Sequence, residues 1–132
     1  MMTATLPTLL AIALGGALGA LARFAASSYF NQTVQVHHTV HIGTMLVNII
    51  GSFVMGLVYV YIVEQELFNP HWKSILMVGF LGAFTTFSSY SLEAINFYEQ
   101  GYPMLALIYV VTTVVACLCA AGGAIYIART LL

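Results

Sequence analysis

The sequence predicts an all-α membrane protein with four transmembrane helices, the third of which is broken near the middle of the membrane. Its 132 residues are 61% hydrophobic and only 5% charged, more apolar surface than a soluble domain of this size can bury. Four apolar runs each reach the roughly 20 residues that a helical span needs. Glycines and hydroxyl residues interrupt the third run, which a lipid-exposed helix would not tolerate.

The four predicted spans cover about residues 6–28, 42–63, 72–98 and 104–131, so residues 1–132 are expected to form a single integral membrane domain. The connectors are polar and turn-like. The first run has no basic start and is too long for a cleavable signal, so we interpret it as a span.

The few basic residues give little orientation signal. Arg23 lies near the far end of the first span, whereas Lys73 and Arg129 lie on the side of the termini. Orientation normally follows Lys and Arg in short loops. Because the bias is only two to one, we expect the chain to insert in both orientations.

Residues 79–91 are the most informative part of the chain, with two glycines, five hydroxyl residues and a tyrosine inside an apolar run. Such an interruption is typical of an ion or substrate site. Unwinding of residues 82–86 would free carbonyls for a small cation and expose N–H groups at the start of the second half-helix.

Asn48 is the clearest polar candidate of the second span, in a row with Thr44, Ser52 and Gly56 at four-residue spacing. These positions share one helical face. The small residues of this row suit close helix packing. The side-chain amide of Asn48, however, needs hydrogen-bond partners when it is buried away from water. Asn48 is therefore interpreted as functional, with interhelical bonding as the competing explanation.

The second half of the third span offers donors to an ion. Ser88 and Ser89 supply hydroxyls, and Phe87 and Tyr90 share one face. Aromatic ring edges carry partial positive charge and could face an anion. Ordinary packing of the two rings is the alternative.

The fourth span carries a weakly polar row of Tyr109, Thr113 and Cys117. Tyr109 could instead anchor at the interface, and a threonine could bond back to its own helix. Cys117 and Cys119 point in different directions and are interpreted as packing residues.

Two roles are considered for each of the remaining charged and histidine candidates. Arg23 either snorkels to the interface or attracts anions to a vestibule. Glu93 either pairs with a group such as Arg23 or carries protons. We interpret His37, His38 and His41 as surface residues rather than metal ligands.

The sequence lacks a phosphate-binding glycine loop, a nucleophile with a partnered base, a carboxylate pair and a basic patch. We therefore predict neither an enzyme nor a nucleic-acid partner.

Three motifs, in order along the chain, resemble those of the Fluc, or CrcB, family of fluoride channels. The first spans residues 15–24 (GGALGALARF), the second residues 43–56 (GTMLVNIIGSFVMG), and the third residues 79–93 (GFLGAFTTFSSYSLE). The resemblance covers essentially the whole chain.

This resemblance implies an antiparallel, dual-topology homodimer with two fluoride pores, which exports fluoride passively across the inner (plasma) membrane and relieves fluoride toxicity. It implies a structural sodium ion at the dimer interface, held by the backbone carbonyls of Gly82 and Thr85. Arg23 corresponds to a vestibule arginine. The pore residues that the resemblance implies are Asn48, Phe87, Ser88, Ser89, Tyr90, Tyr109, Thr113 and Cys117.

Two positions depart from the family pattern. Tyr90 stands where phenylalanine is usual, and its hydroxyl could add a hydrogen bond to the ion; Cys117 replaces a usual hydroxyl. Some relatives pair two different chains, so a heterodimer stays open beside the homodimer. The alternative functions are a small proton-coupled dual-topology multidrug or cation exporter, which would need an early buried acid absent before Glu64, and a noncatalytic scaffold.

Overall fold

The computed structural model describes residues 5–33, 42–68 and 71–132, and within these ranges every regular element is helical. The predicted all-α class is therefore confirmed. The elements are α1 (Leu6–Thr33), α2 (Gly43–Val58) with its π-helical continuation (Tyr59–Glu64), a second π-helical segment (Lys73–Leu81) that leads into α3 (Gly82–Phe84), α4 (Phe87–Glu99) and α5 (Pro103–Leu131).

Four helices in the described ranges are long and apolar enough to cross a membrane: Leu6–Thr33, Gly43–Glu64, Lys73–Glu99 and Pro103–Leu131. Their bounds agree with the predicted spans to within one residue at most ends. The exception is α1, which continues to Thr33 instead of ending near residue 28. Its 28 residues extend about 42 Å at 1.5 Å per residue, more than the roughly 30 Å hydrocarbon core requires.

Glycines allow α1 to pack directly on the π-helical segment of the third span. A Cβ at Gly15 would lie 2.8 Å from the carbonyl oxygen of Ile75, and one at Gly19 would collide with the carbonyl of Phe80. The Gly15–Gly19 pair therefore lets the two backbones touch, as a small-xxx-small pair predicts.

The second span packs most extensively against α5. At their contact, a Cβ at Gly56 would lie 2.6 Å from the carbonyl oxygen of Ala121. Farther along α2, Gly51 lies against the side chains of Thr85 and Phe84. The small residues of α2 thus bring this helix close both to α5 and to the break in the third span.

Helices α4 and α5 enclose a small core of Tyr90, Phe97, Ala106 and Tyr109. The Phe97 and Tyr109 rings meet edge to face, with centroids 5.3 Å apart. This geometry favours the ring quadrupoles. The cluster fixes the position of α4 immediately after the break.

The outer face of α1 is apolar and exposed. Leu10, Leu14, Leu18 and Leu21 follow helical spacing and are more than half exposed. In a membrane such a surface contacts lipid or another chain, so its exposure agrees with the predicted bilayer setting.

Candidate functional site

The third span is broken at two residues. Thr85 and Thr86 are both extended, with φ/ψ of −84°/155° and −148°/123°, between α3 and α4. The break is narrower than predicted, because Gly82–Phe84 still form a helical turn. The predicted break of the third helix is therefore confirmed, but only Thr85 and Thr86 leave the helix.

Asn48 holds this break from the neighbouring helix. Its Nδ2 donates to the carbonyl oxygen of Thr86 at 2.9 Å, and the amide N–H of Thr86 donates to its Oδ1 at 2.8 Å. Both residues are buried. A side-chain amide thus replaces the backbone partner that the Thr86 N–H loses by leaving the helix, so interhelical bonding is part of the role of Asn48.

One donor of Asn48 is left over. A primary amide has two N–H groups, and among the described residues only one of them has a protein partner. Asn48 also lines the cavity beside the break. Its bond to Thr86 therefore fixes the orientation of the amide without using all of its donors.

The break frees the carbonyls of the turn before it, among them those of the two residues of the predicted cation site. In a continuous helix Gly82 would accept from the N–H of Thr86, and Thr85 from that of Ser89. Here the Thr86 N–H donates to Asn48, and the Ser89 N–H donates to Thr86 Oγ1 at 3.2 Å. The carbonyls of Gly82 and Thr85 have lost their helical donors and are chemically suited to a hard cation.

Thr86 also caps α4. Its Oγ1 accepts from the Ser89 N–H and lies 3.2 Å from the hydroxyl oxygens of both Ser88 and Ser89. A threonine side chain in this position satisfies one of the orphan donors at the start of a helix. Ser88 and Ser89 therefore belong to the cap of α4 and are not among the residues that line the adjacent cavity.

A cavity of about 380 Å³, here called the central groove, runs beside the break between α2, α4 and α5. Five predicted pore residues meet in it: Asn48, Phe87, Tyr90, Thr113 and Cys117. Three separate spans supply them, so the fold assembles this part of the predicted site. The predicted residues Ser88, Ser89, Tyr109 and Arg23 lie outside the lining.

Thr113 and Cys117 line the groove from α5, one helical turn apart. Thr113 is only 3% exposed, and its hydroxyl has no hydrogen-bond partner within the described part of the chain. Cys117 is half-buried. A buried hydroxyl without a partner is rare in proteins and marks a place where a water or an ion could bind.

The aromatic residues of the groove have different surroundings. Tyr90 is buried, and its hydroxyl donates to the carbonyl oxygen of Val110 at 3.0 Å. The expectation that this hydroxyl is available to an ion is wrong in this conformation, because its single proton is used by α5. Phe87 contacts the Tyr90 ring at 5.4 Å between centroids but is 76% exposed in the single chain.

Glu93 has two hydroxyl partners. Thr44 Oγ1 donates to its Oε1 and Tyr109 Oη donates to its Oε2, both at 2.6 Å. The suggested pairing with Arg23 is wrong, since both carboxylate oxygens are held by hydroxyls from α2 and α5. Tyr109 therefore positions Glu93 and does not line the central groove.

Arg23 is half-buried in α1, ten residues before the helix ends at Thr33. It forms no ion pair within the described residues, where the recorded salt bridge joins Arg129 to Glu64. His37, His38 and His41 lie outside the described residues.

Ser52 and Met55 are among the groove residues that the sequence reasoning did not assign to ion contacts. They follow Asn48 by four and seven residues, so helical spacing alone places all three on one face. That spacing was a usable signal for Met55, which otherwise looks like an ordinary apolar residue.

Comparison with known proteins gives a consistent result. Residues 10–125 match the family described as CrcB-like protein, Camphor Resistance (CrcB). Proteins named fluoride-specific ion channel FluC are similar over most of the chain. That of Saccharophagus degradans is 45% identical over 92% of this chain and 90% of its own. That of Hahella chejuensis is 38% identical over 97% and 99%, and that of Campylobacter lari 42% over 86% and 90%.

The family and the four apolar helices together make this a multi-pass membrane protein of an ion-channel family, not an enzyme. The resemblance carried by the three motifs is thereby confirmed. With a family match over most of its length and several relatives more than one-third identical, the chain belongs to the CrcB family of fluoride channels.

Proposed function

We propose that this chain is a subunit of a fluoride-selective channel that lets fluoride leave the cell passively and so relieves its toxicity. One observation carries the proposal: a broken helix stands beside a groove in which two donors, the Thr113 hydroxyl and one N–H of Asn48, have no protein partner among the described residues. The names of the relatives, fluoride-specific ion channels, support the same ion.

The chemistry of the groove suits fluoride. Fluoride is a small, strongly hydrated anion and a strong hydrogen-bond acceptor, so its water must be replaced by donors. Asn48 and Thr113 offer N–H and O–H groups, while Phe87 and Tyr90 offer ring edges with partial positive charge. Among the described residues, neither Lys nor Arg lines the groove. Weak, successive contacts of this kind let an ion enter and also leave.

The freed carbonyls of Gly82 and Thr85 support a structural sodium ion. Main-chain oxygens are hard ligands of the kind such cations prefer, and both have lost their helical donors. A resident cation would lower the electrostatic cost of an anion near the membrane centre. Within the chain, Asn48 would keep the break open at these carbonyls by holding Thr86.

The open side of the groove supports assembly with a second, antiparallel copy. Phe87 is 76% exposed although it adjoins the break. Because the basic residues favour neither orientation strongly, two copies could insert in opposite orientations, and their helix breaks would then face each other near the middle of the membrane. In that assembly, Phe87 of each copy would pack against the other copy. Both copies would supply their Gly82 and Thr85 carbonyls to the same cation.

Fluoride efflux tests the proposal. Purified protein is reconstituted in liposomes loaded with fluoride or chloride, and valinomycin with a potassium gradient supplies the electrical driving force. We expect rapid fluoride release measured with a fluoride electrode, and no chloride release above that of protein-free liposomes. Equal release of both anions, or no fluoride release with sodium on both sides, would contradict the proposal.

A further inference from the structure

Two sulfur-bearing residues line the central groove, and its proposed function uses neither sulfur. Cys117 lines it from α5 and Met55 from α2, so a cysteine and a methionine border one cavity from different helices. Cys117 is half-buried. In contrast, Cys119 is exposed and absent from the groove lining. The chain therefore has one thiol in the groove and one outside it.

A second feature indicates that this part of the groove receives a ligand. Thr113, one turn before Cys117 on the same helix, is 3% exposed, and its hydroxyl has no partner among the described residues. Buried hydroxyls are nearly always satisfied by protein or by a bound species. The thiol therefore lies next to a place that is built for a bound polar species.

We propose that Cys117 and Met55 bind a soft metal cation such as Hg²⁺ in the central groove, and that this binding blocks ion passage. Soft cations prefer thiolate and thioether sulfur over the oxygen ligands elsewhere in the groove. The blocking half of the proposal rests on the proposed channel function, whereas the binding half does not.

The chemistry is a simple ligand exchange. The S–H bond of Cys117 breaks, its proton goes to water, and the sulfur electron pair forms an S–Hg bond in place of a chloride or water ligand that leaves the mercury, with no change in oxidation state. Met55 adds a second sulfur ligand without losing a proton. The metal would occupy the passage between α2 and α5 and add positive charge that holds a passing anion, so conduction would stop by obstruction and by trapping.

Two single-cysteine variants provide a matched test. Cys119→Ser keeps only the groove thiol, and Cys117→Ser keeps only the outer thiol. Each is reconstituted and treated with HgCl₂ at low molar ratio, and fluoride efflux is compared with the untreated rate of the same variant. Mass spectrometry of the intact protein measures mercury uptake independently of transport.

Wild-type protein and Cys119→Ser are expected to lose flux at least about tenfold, and dithiothreitol is expected to restore it by removing the metal. Cys117→Ser should keep its own untreated rate after HgCl₂. Met55→Leu should bind mercury less tightly than wild type, because it retains only the thiol, so more HgCl₂ should be needed for half-maximal block.

Block that persists in Cys117→Ser and disappears in Cys119→Ser would overturn the assignment. Mercury uptake by Cys119→Ser without loss of flux would overturn the blocking half. An absence of uptake by folded Cys119→Ser would overturn the site itself. If the untreated protein carried no fluoride at all, the proposed function would fail, while mercury uptake by Cys119→Ser, and its dependence on Met55, would still decide the metal site.

Discussion

Under the proposed function, Asn48 combines two roles that its sequence position presents as alternatives. Its amide makes two hydrogen bonds to the backbone of Thr86, retains a second N–H, and lines the groove. The structural bonds orient the remaining donor, since an amide fixed at both its oxygen and one N–H cannot rotate. The side chain that holds the break is thus, under the proposed function, also one that would contact the ion.

We expect Asn48→Ala to lose both transport and stability. The substitution leaves the buried N–H of Thr86 unpaired, at about 1–3 kcal/mol, removes one of the two bonds to its carbonyl oxygen, and takes a donor from the groove. Fluoride efflux should fall at least about tenfold, with a lower thermal transition by fluorescence.

Two variants control this experiment. Ser91→Ala removes only a bond from Ser91 Oγ to the Phe87 carbonyl of its own helix, so it should behave as wild type. Asn48→Asp keeps the acceptor for the Thr86 N–H but sets a carboxylate oxygen against the Thr86 carbonyl, so it should also lose efflux and stability. Wild-type efflux from Asn48→Ala would show that this amide contributes to neither role.

Thr113 allows function to be separated from stability. Thr113→Val removes a hydroxyl that has no protein partner among the described residues and nearly preserves the side-chain shape. No protein hydrogen bond is lost, so the thermal transition should be unchanged or higher. Efflux should fall if the hydroxyl replaces water around the ion. Thr112→Val, at the neighbouring exposed position, is the control and should leave efflux unaffected.

Tyr90→Phe should have the opposite effect to Thr113→Val, with lower stability and unchanged efflux. The Tyr90 hydroxyl donates to the Val110 carbonyl, so its removal should lower stability by about 1 kcal/mol while the ring contacts remain. Efflux per folded channel should be retained. Loss of efflux with unchanged stability would mean that the hydroxyl leaves Val110 and bonds the ion, contrary to the geometry described here.

At the level of elements, the break in the third span depends on contacts from other helices. Thr86 leaves the helix because Asn48 of α2 supplies its partners and its own hydroxyl caps α4. Gly51 makes room by allowing Thr85 to lie against α2. The freed carbonyls of Gly82 and Thr85 follow from these contacts.

Sodium removal tests the role proposed for those carbonyls. Replacing sodium by N-methylglucamine on both sides of the liposomes should slow fluoride efflux and lower the thermal transition of the purified protein, because a ligand that binds only the folded state stabilises it. Sodium should restore both. Efflux and stability that are indifferent to sodium over prolonged dialysis would contradict the proposed site.

The packing of α1 gives a second test at this level. Gly19→Ala would place a Cβ against the Phe80 carbonyl, forcing α1 away from the third span, so we expect a clear loss of folded protein. Gly16→Ala is the matched control on the same helix. Its Cβ would meet only the Gly79 carbonyl, at an ordinary 3.9 Å, and alanine favours the helix by about 1 kcal/mol. Equal behaviour of the two variants would contradict the observed contact.

For the whole molecule, the sequence predicted the four spans and the break because both depend on composition along the chain. It also predicted that Asn48 and Phe87 belong to one site, through the family motifs. Contacts between side chains of different helices were harder to predict from the sequence. The bonds of Glu93 to Thr44 and Tyr109 join three helices, and no periodicity in one helix reveals which side chain of another will face it. The length of the break was also overestimated, since Gly82 permits unwinding without requiring it.

The central claim is that a fluoride ion crosses this protein passively, through donors gathered at the broken helix. The most direct measurement is the current through protein in a planar bilayer, with sodium and equal pH on both sides and a fluoride gradient. The account predicts a steady current that reverses near the fluoride equilibrium potential and is absent when chloride replaces fluoride. Electrically silent transport that appears only with a pH gradient would contradict it and would indicate a coupled transporter.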